Sequence, residues 1–293
     1  MIFEIAHTMT YNYSVPVGLN PHELRLRPRS DGTQRIQQLT LNIDPLPVGR
    51  AEGRDVEGND VESVWFADST ATRRLQIASR LTLETLRDNP FDFILTDPAT
   101  VRLPASYAPE IRPALESYRV VSEHDASLYQ FARSIAADVK QEPLAFLGQL
   151  NTRIYERTTY VTREQGEPQS AAATLAQKRG ACRDLAVLFI EACRVMGFAA
   201  RFVSGYTVGK SVFAATMHAW AEVYLPGGGW RGYDPTNGLA VADEHVVVAA
   251  GRIPRLAAPV TGSFRGLGVF SSLQVALQVK CREAEVPQVQ IEQ

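Results

Sequence analysis

The stretch Gly180-Ala181-Cys182-Arg183-Asp184 decides the fold, because an amphipathic helix begins inside it. After the cysteine, apolar residues recur at the spacing of one helical face: Leu185, Leu188, Phe189, Ala192, Cys193 and Met196. The spacing predicts a helix over 182–196 with Cys182 in its first turn. Unpaired N–H groups and the positive end of the helix dipole stabilise a thiolate there, and the thiolate is the nucleophilic form of cysteine. Taken alone, the pattern leaves open that Cys182 only packs.

A β-hairpin is predicted downstream of this helix. Residues 217–225 alternate in the manner of a strand, Pro-Gly-Gly-Gly at 226–229 makes a turn, and 230–234 form a returning strand. A hairpin of this size brings His218 and Asp234 side by side or one diagonal apart. A cysteine on a helix, a histidine on a strand and a carboxylate on the next strand are the residue types of a nucleophile, a base and an orienting group.

Four sequence blocks resemble the core of the transglutaminase-like superfamily and follow its order. They are GACRD at 180–184, ARFVSGY at 200–206, HAW at 218–220 and YDPTN at 233–237. The resemblance implies a papain-like fold and a catalytic triad, with Cys182 as the nucleophile, His218 as the base and Asp234 as the orienting group. The first third of the chain, with HTMTY at 7–11 and LRLRP at 24–28, resembles the bacterial transglutaminase-like N-terminal region.

Three further residues are candidates for the oxyanion hole or the cleft. Acyl transfer requires two donors to the oxyanion, and the backbone N–H of Cys182 is the first. In some relatives an upstream side chain is the second donor, and Tyr160 stands in a plausible position for it. Tyr206 is a candidate for the mouth of the cleft. Trp220 is expected to pack in the core or the cleft, with substrate contact as the lesser alternative.

The sequence favours no catalytic role for the histidines outside the triad, and it does not favour a metal site. His245 is predicted to be a solvated end of a helix or strand, and His7 and His22 are predicted to have structural roles. A metal site is disfavoured because the chain has no Cys-x-x-Cys or His-x-x-x-His pair, whereas structural zinc usually takes four ligands. The sequence therefore predicts neither a metal nor a cofactor.

Composition limits the class of protein. The chain has 293 residues, enough for two domains, with 45% hydrophobic and 21% charged residues, as in a soluble globular protein. A formal net charge of -2 without basic runs disfavours a nucleic-acid partner, and no apolar stretch approaches the ~20 residues that span a membrane. Three cysteines and a start unlike a signal peptide predict reduced thiols and a cytoplasmic location.

In the second part of the chain the helical runs come first and the strand-like runs follow, and this order predicts an α+β fold rather than alternating strands and helices. We expect an N-terminal antiparallel β module, sandwich or half-barrel, over 1–105, a transglutaminase-like core of helices packed on an antiparallel sheet over 106–283, and a polar tail over 284–293. Strands are predicted at 2–13, 22–27, 36–43, 60–66 and 75–86 in the module, at 200–208 in the core and at 273–279 near the end. Helices are predicted at 126–139 and 144–158, and a short one after Ser170.

The sequence favours an enzyme that attacks peptide or glutamine-type amides through a thioester at Cys182. With water as acceptor it is a cysteine peptidase or amidase, which we favour because no motif for an amine acceptor is visible. With an amine acceptor it is a protein-glutamine transglutaminase. A third alternative is a binding or scaffold module without catalysis, against which the complete triad argues. The expected partner is a peptide or protein substrate, and the oligomeric state is not predicted.

Overall fold

The computed structural model describes residues 1–97, 101–163, 166–208 and 217–284. The strands are β1 (Ile2–Leu24), β2 (Gln34–Asp44), β3 (Gly49–Arg54), β4 (Asp60–Trp65), β5 (Ala71–Thr85), β6 (Thr159–Tyr160), β7 (Arg179–Gly180), β8 (Ala200–Thr207), β9 (His218–Leu225), β10 (Gly229–Asp234), β11 (Leu239–Ala240), β12 (His245–Gly251), β13 (Val260–Arg265) and β14 (Ser271–Arg282). The helices are α1 (Arg112–Leu115), α2 (Ala126–Asp138), α3 (Pro143–Arg157), α4 (Ala171–Gln177) and α5 (Cys182–Val195). Among the described residues, we find no helix with the length and hydropathy of a bilayer-spanning segment.

β1 is the centre of a seven-stranded sheet that forms the N-terminal module. Residues 2–12 and 17–18 of this strand pair with β5 on one side. On the other side, residues 2–13 pair with β14, and residues 18–24 pair with β13 and, at their end, with β4. All of these pairings are antiparallel, which confirms the predicted β module.

Two strands predicted in the module are one. The sequence predicted separate strands over 2–13 and 22–27, but β1 contains all of the first and continues without a break into the second, where it ends at Leu24. Pro16 lies in a register shift of the pairing with β5, and Pro21 lies in a register shift of the pairing with β13. Proline lacks the N–H that the ladder needs, so its place in a strand is at such an irregularity.

The C-terminal strands correct the predicted boundary of the core. The sequence assigned 106–283 to the core, yet β13 and β14 both pair with β1 and therefore complete the N-terminal module. The strand predicted at 273–279 is confirmed as part of β14. Of the predicted tail, residues 285–293 lie outside the described part of the chain.

The core is a five-stranded antiparallel sheet in the order β11-β10-β9-β8-β12, with α5 packed against it. Leu185 and Phe189 of the helix share one buried cluster with Ala221 and Val223 of β9. Phe189 also stacks on Tyr233 of β10, with ring centroids 5.4 Å apart. This packing fixes the start of α5 relative to the β9–β10 hairpin, so the predicted mixed fold is confirmed.

Two amide side chains of the N-terminal module cover the free edge of the core sheet. Gln34 donates to the carbonyl of Val247 (2.7 Å) and accepts from its N–H (3.0 Å). Asn59 bonds in the same two-way manner to Ala250, at 2.8 Å and 2.9 Å. Both partners lie on β12, the edge strand. The module thereby supplies the backbone hydrogen bonds that a further strand would have made.

Candidate active site

Cys182 is the first residue of α5, with Ala181 as the N-cap, which confirms the helix and its start. The thiol is partly exposed, whereas Cys193 on the same helix is fully buried, as its place on the apolar face predicted. In the first turn, the backbone N–H of Cys182 has no acceptor within its own helix. The position in the first turn and the partial exposure are those that a nucleophile in acyl transfer needs.

Asp184 fastens the start of α5. One carboxylate oxygen accepts from the N–H of Ala181 at 2.8 Å, and the other accepts from the N–H of Gln169 at 2.8 Å and from Arg163 at 2.5 Å. The carboxylate is fully buried. Its charge is thus matched by Arg163 and by the helix N-terminus.

His218 connects the thiol to the carboxylate on the next strand. Its Nε2–H donates to Oδ2 of Asp234 at 2.8 Å, and a second side-chain hydrogen bond joins it to Cys182. Because Nε2 is taken by Asp234, Nδ1 is the nitrogen left for the thiol. Tyr233 pairs with Ala221, so Asp234 and His218 are diagonal neighbours, one of the two arrangements expected of the hairpin. The structure therefore brings Cys182, His218 and Asp234 together.

The charge on Asp234 keeps His218 protonated. Burial by itself would lower the pKa of His218, but the charge of Asp234 and the hydrogen bonds with Asp234 and Cys182 outweigh it and raise the pKa to about 10. Burial works in the opposite sense on Asp234, yet His218 and His245 hold the pKa of that carboxyl well below its usual range. A buried carboxylate is stable under these conditions because it is paired and hydrogen-bonded.

Asp234 is saturated with donors. Besides His218, its Oδ2 accepts from Asn237 Nδ2 at 2.7 Å and from His245 Nε2 at 3.2 Å, and its Oδ1 accepts from the backbone N–H of Thr236 at 3.0 Å. The residue has no exposed surface. The carboxylate is therefore held in one orientation by two histidines, one amide and the turn that follows β10.

Tyr160 lies beside the start of α5. Its strand β6 runs parallel to β7, which pairs Tyr160 with Gly180. A glycine is needed at 180, since a Cβ there would lie 2.9 Å from Cβ of Asp184. Burial, with a smaller contribution from the charge of Cys182, raises the pKa of Tyr160 to about 12. The phenol thus stays protonated close to Cys182, as a donor must, and its role in the oxyanion hole stays a prediction.

One cleft candidate, Tyr206, is corrected, whereas Trp220 packs in the core as expected. Tyr206 does not line a cleft mouth: it is buried against the N-terminal module, where its hydroxyl hydrogen-bonds to Nδ1 of His7 at 2.9 Å. Burial lowers the pKa of His7 to about 4, so this contact is uncharged at neutral pH. Trp220 is fully buried under the site, which matches the expected core packing and leaves no exposed surface for substrate.

The sequence missed His245. A solvated end of an element was expected, but the side chain is 3% exposed and reaches Asp234 from β12. Asn237, also on Asp234, was quoted in the YDPTN block without a role. No local pattern identifies His245, because its strand is separated from β10 by β8 and β9.

Metal-ligand atoms of His218, Asp234 and His245 lie within 4.8 Å of one another, so the geometry could hold an ion. The sequence did not predict this group. Both imidazoles, however, already share one carboxylate oxygen through hydrogen bonds, and these bonds account for the spacing. The three residues therefore fit a hydrogen-bonded network that orients the carboxylate of Asp234 and the ring of His218.

Two family models match the chain. Residues 129–235 match the transglutaminase-like superfamily, and residues 3–84 match the bacterial transglutaminase-like N-terminal region. Tyr160, Cys182, His218 and Asp234 fall within the first match, and His245 falls outside it.

Similar proteins extend over nearly the whole chain. An uncharacterized protein of Mycobacterium leprae is 27% identical over 300 residues, covering 94% of this chain and 97% of its own length. A second, from Mycobacterium tuberculosis, is 29% identical over 264 residues, covering 85% of this chain and 83% of its own length. A crystal structure described as a "putative cysteine protease" from Cytophaga hutchinsonii superimposes with a TM-score of 0.71 at 20% identity, covering 97% of this chain and 92% of that one. At this identity the likeness establishes the fold.

Proposed function

Since this chain belongs to the transglutaminase-like superfamily, we propose that it is a cysteine-dependent acyl-transfer enzyme that hydrolyses peptide or glutamine-type amides. Cys182 is the nucleophile, His218 the general base and acid, and Asp234 the orienting group. The observation that carries the proposal is the chain of hydrogen bonds from Cys182 through His218 to the buried Asp234. With one imidazole nitrogen on the carboxylate and the other on the thiol, the proton has a defined path.

The reaction begins with the thiolate of Cys182 and the imidazolium of His218. Attack of sulfur on the amide carbon forms the C–S bond and moves charge to the carbonyl oxygen, where the backbone N–H of Cys182 and the hydroxyl of Tyr160 donate. His218 gives its proton to the leaving amine as the C–N bond breaks, which leaves a thioester. Water then attacks this thioester, His218 takes the water's proton, and the acid leaves as the thiolate returns.

Substitution of Cys182 by alanine tests the function. A peptide library is incubated with the native protein, with and without a primary amine, and the products are identified by mass spectrometry. We expect cleaved or deamidated peptides in both samples, reduced at least about 10³-fold in Cys182→Ala because the nucleophile is gone. Amine adducts as the main product would favour the transglutaminase alternative. If neither product nor acyl-enzyme forms, the scaffold alternative gains.

The oxyanion role of Tyr160 predicts a difference between two reagents. Acylation of Cys182 by p-nitrophenyl acetate passes through a tetrahedral oxyanion, whereas alkylation by iodoacetamide does not. We expect Tyr160→Phe to slow acylation by about 10- to 100-fold, below the effect of a full oxyanion-hole donor because the backbone N–H remains. Alkylation should keep its wild-type rate, which serves as the control. Equal slowing of both reactions would instead place Tyr160 among residues that only support the thiol.

We propose a peptide or protein substrate, and no nucleic acid or membrane as partner. We also propose a cytoplasmic location, for which the odd number of cysteines in the sequence is the reason.

A further inference from the structure

We propose that His245 is a positioning residue of this active site, which fixes the carboxylate of Asp234 and links it to the N-terminal module. The inference rests on the proposed function, since it gives His245 a task in orienting His218. The contact that carries it is the hydrogen bond from His245 Nε2 to Oδ2 of Asp234, 3.2 Å long and buried at both ends. The same oxygen accepts from His218.

The hydrogen bonds of His245 define which nitrogen carries its proton. Asp234 offers only an acceptor, so Nε2 must be the N–H donor. The other nitrogen, Nδ1, is buried without a hydrogen-bond partner among the described residues, as expected of a bare ring nitrogen. Through this hydrogen bond His245 can fix the direction of Oδ2, the oxygen to which His218 also bonds.

Gly205 and Trp220 let His245 reach across the sheet. His245 pairs with Thr207 at the start of β12, and β8 and β9 separate this strand from β10. The indole of Trp220 lies against Gly205, where a Cβ would come within 2.5 Å of Cη2. The ring of His245 packs edge-on against this indole with centroids 5.2 Å apart. Because residue 205 has no side chain, the indole of Trp220 fits against it. The ring of His245 packs on this indole in the position from which it reaches Asp234.

The N-terminal module holds the chain on both sides of His245. Two residues before it, the carbonyl of Asp243 accepts from Oγ1 of Thr85 at 2.8 Å. Two residues after it, both backbone groups of Val247 bond to the amide of Gln34. Thr85 and Gln34 belong to β5 and β2 of the module. The N-terminal module is thus linked to the triad by hydrogen bonds that hold the chain around His245, which in turn bonds to Asp234.

Three variants test the assignment through the alkylation of Cys182 by iodoacetamide across pH, which needs no substrate. In His245→Leu the donor is gone and Asp234 can turn away from His218, so we expect alkylation near pH 6 to slow about tenfold, the scale of a hydrogen bond to a charged group. In His245→Gln an amide N–H replaces Nε2–H, and the rate should return to within about threefold of wild type. Glu244→Ala, with an exposed neighbouring side chain, should keep the wild-type profile.

Gln34→Ala tests the role of His245 without changing the active site itself. It keeps the test valid if His245→Leu folds poorly. We expect slower alkylation in the wild-type background and no added loss in the His245→Leu background, because Gln34 acts through His245. A merely structural His245 would lower the melting temperature and leave the shape of the pH profile unchanged.

The outcomes separate this inference from the proposed function. Suppose that the wild-type protein shows the ion pair but His245→Leu is alkylated at the wild-type rate or faster. This result overturns the role of His245 and leaves the proposed function standing. If Cys182 of the wild-type protein reacts no faster than Cys281 near neutral pH, the thiolate–imidazolium pair does not exist. Both proposals are then wrong.

Discussion

Replacing His218 with alanine is expected to slow the alkylation of Cys182 by iodoacetamide about 100-fold near pH 6. The imidazolium that faces the thiol favours the thiolate, and the thiolate is the form that reacts. An ordinary thiol with a pKa of about 8.5 is only about 0.3% ionised near pH 6, which would allow a loss of about 300-fold. A stabilised thiolate is a weaker nucleophile than an ordinary one, and this reduces the expected loss to about 100-fold.

The pH profile has a defined shape in the wild-type protein. Because the pKa of His218 is raised to about 10, the imidazolium persists through neutral and mildly alkaline pH, and the alkylation rate should stay level there. In His218→Ala the rate should instead rise with pH as an ordinary thiol does. The level region is the direct sign of a thiolate–imidazolium pair.

The chain carries its own control for this measurement. Cys281 is exposed and lies on β14, away from the site, so one digest analysed by mass spectrometry gives both rates from the same sample. We expect Cys281 to react at the same rate in both proteins, and Cys193, which is fully buried, to stay unlabelled. Identical profiles for Cys182 in the two proteins would mean that the pair is not formed in the resting enzyme.

The sequence predicted those parts of the site that depend on local periodicity. The apolar spacing after Cys182 marked α5, and the alternation around a Pro-Gly-Gly-Gly turn marked the hairpin that makes His218 and Asp234 diagonal neighbours. Both patterns come from contacts between residues close in the chain. The adjacency of Cys182 to the hairpin is long-range, and only the family resemblance implied it.

The missed features all depend on pairings between distant segments. β14 pairs with β1 across almost the whole chain, and strand periodicity says nothing about which strand will be the neighbour. Tyr206 turned out to face the N-terminal module because a second sheet covers that side of β8 and supplies His7 as a hydrogen-bond partner. His245 follows the same logic, since a buried histidine needs a partner that only the assembled sheet provides.

Replacing Asp234 with alanine is expected to lower the free energy of unfolding by about 3–5 kcal/mol, the cost of removing one partner from a buried charge pair. The substitution leaves three side-chain donors without their acceptor, on His218, His245 and Asn237. Urea unfolding followed by tryptophan fluorescence measures the loss. Asp68→Ala is the matched control: its carboxylate pairs with Arg265 at 3.0 Å but is 94% exposed, so a change within about 1 kcal/mol is expected.

The effect of Asp234→Ala should depend on pH in a bell-shaped manner. A carboxylate whose pKa is depressed contributes stability above its unfolded pKa of about 3.9 and loses it as the pH falls further. His218, with its pKa raised to about 10, contributes fully below its unfolded value of 6.5 and loses this stability as the pH rises toward 10. Both contributions are complete only between about pH 4 and 6.5, so the difference between wild type and variant should be largest there. A difference that grows steadily through pH 8 would show that Asp234 stabilises the fold without holding the proton on His218.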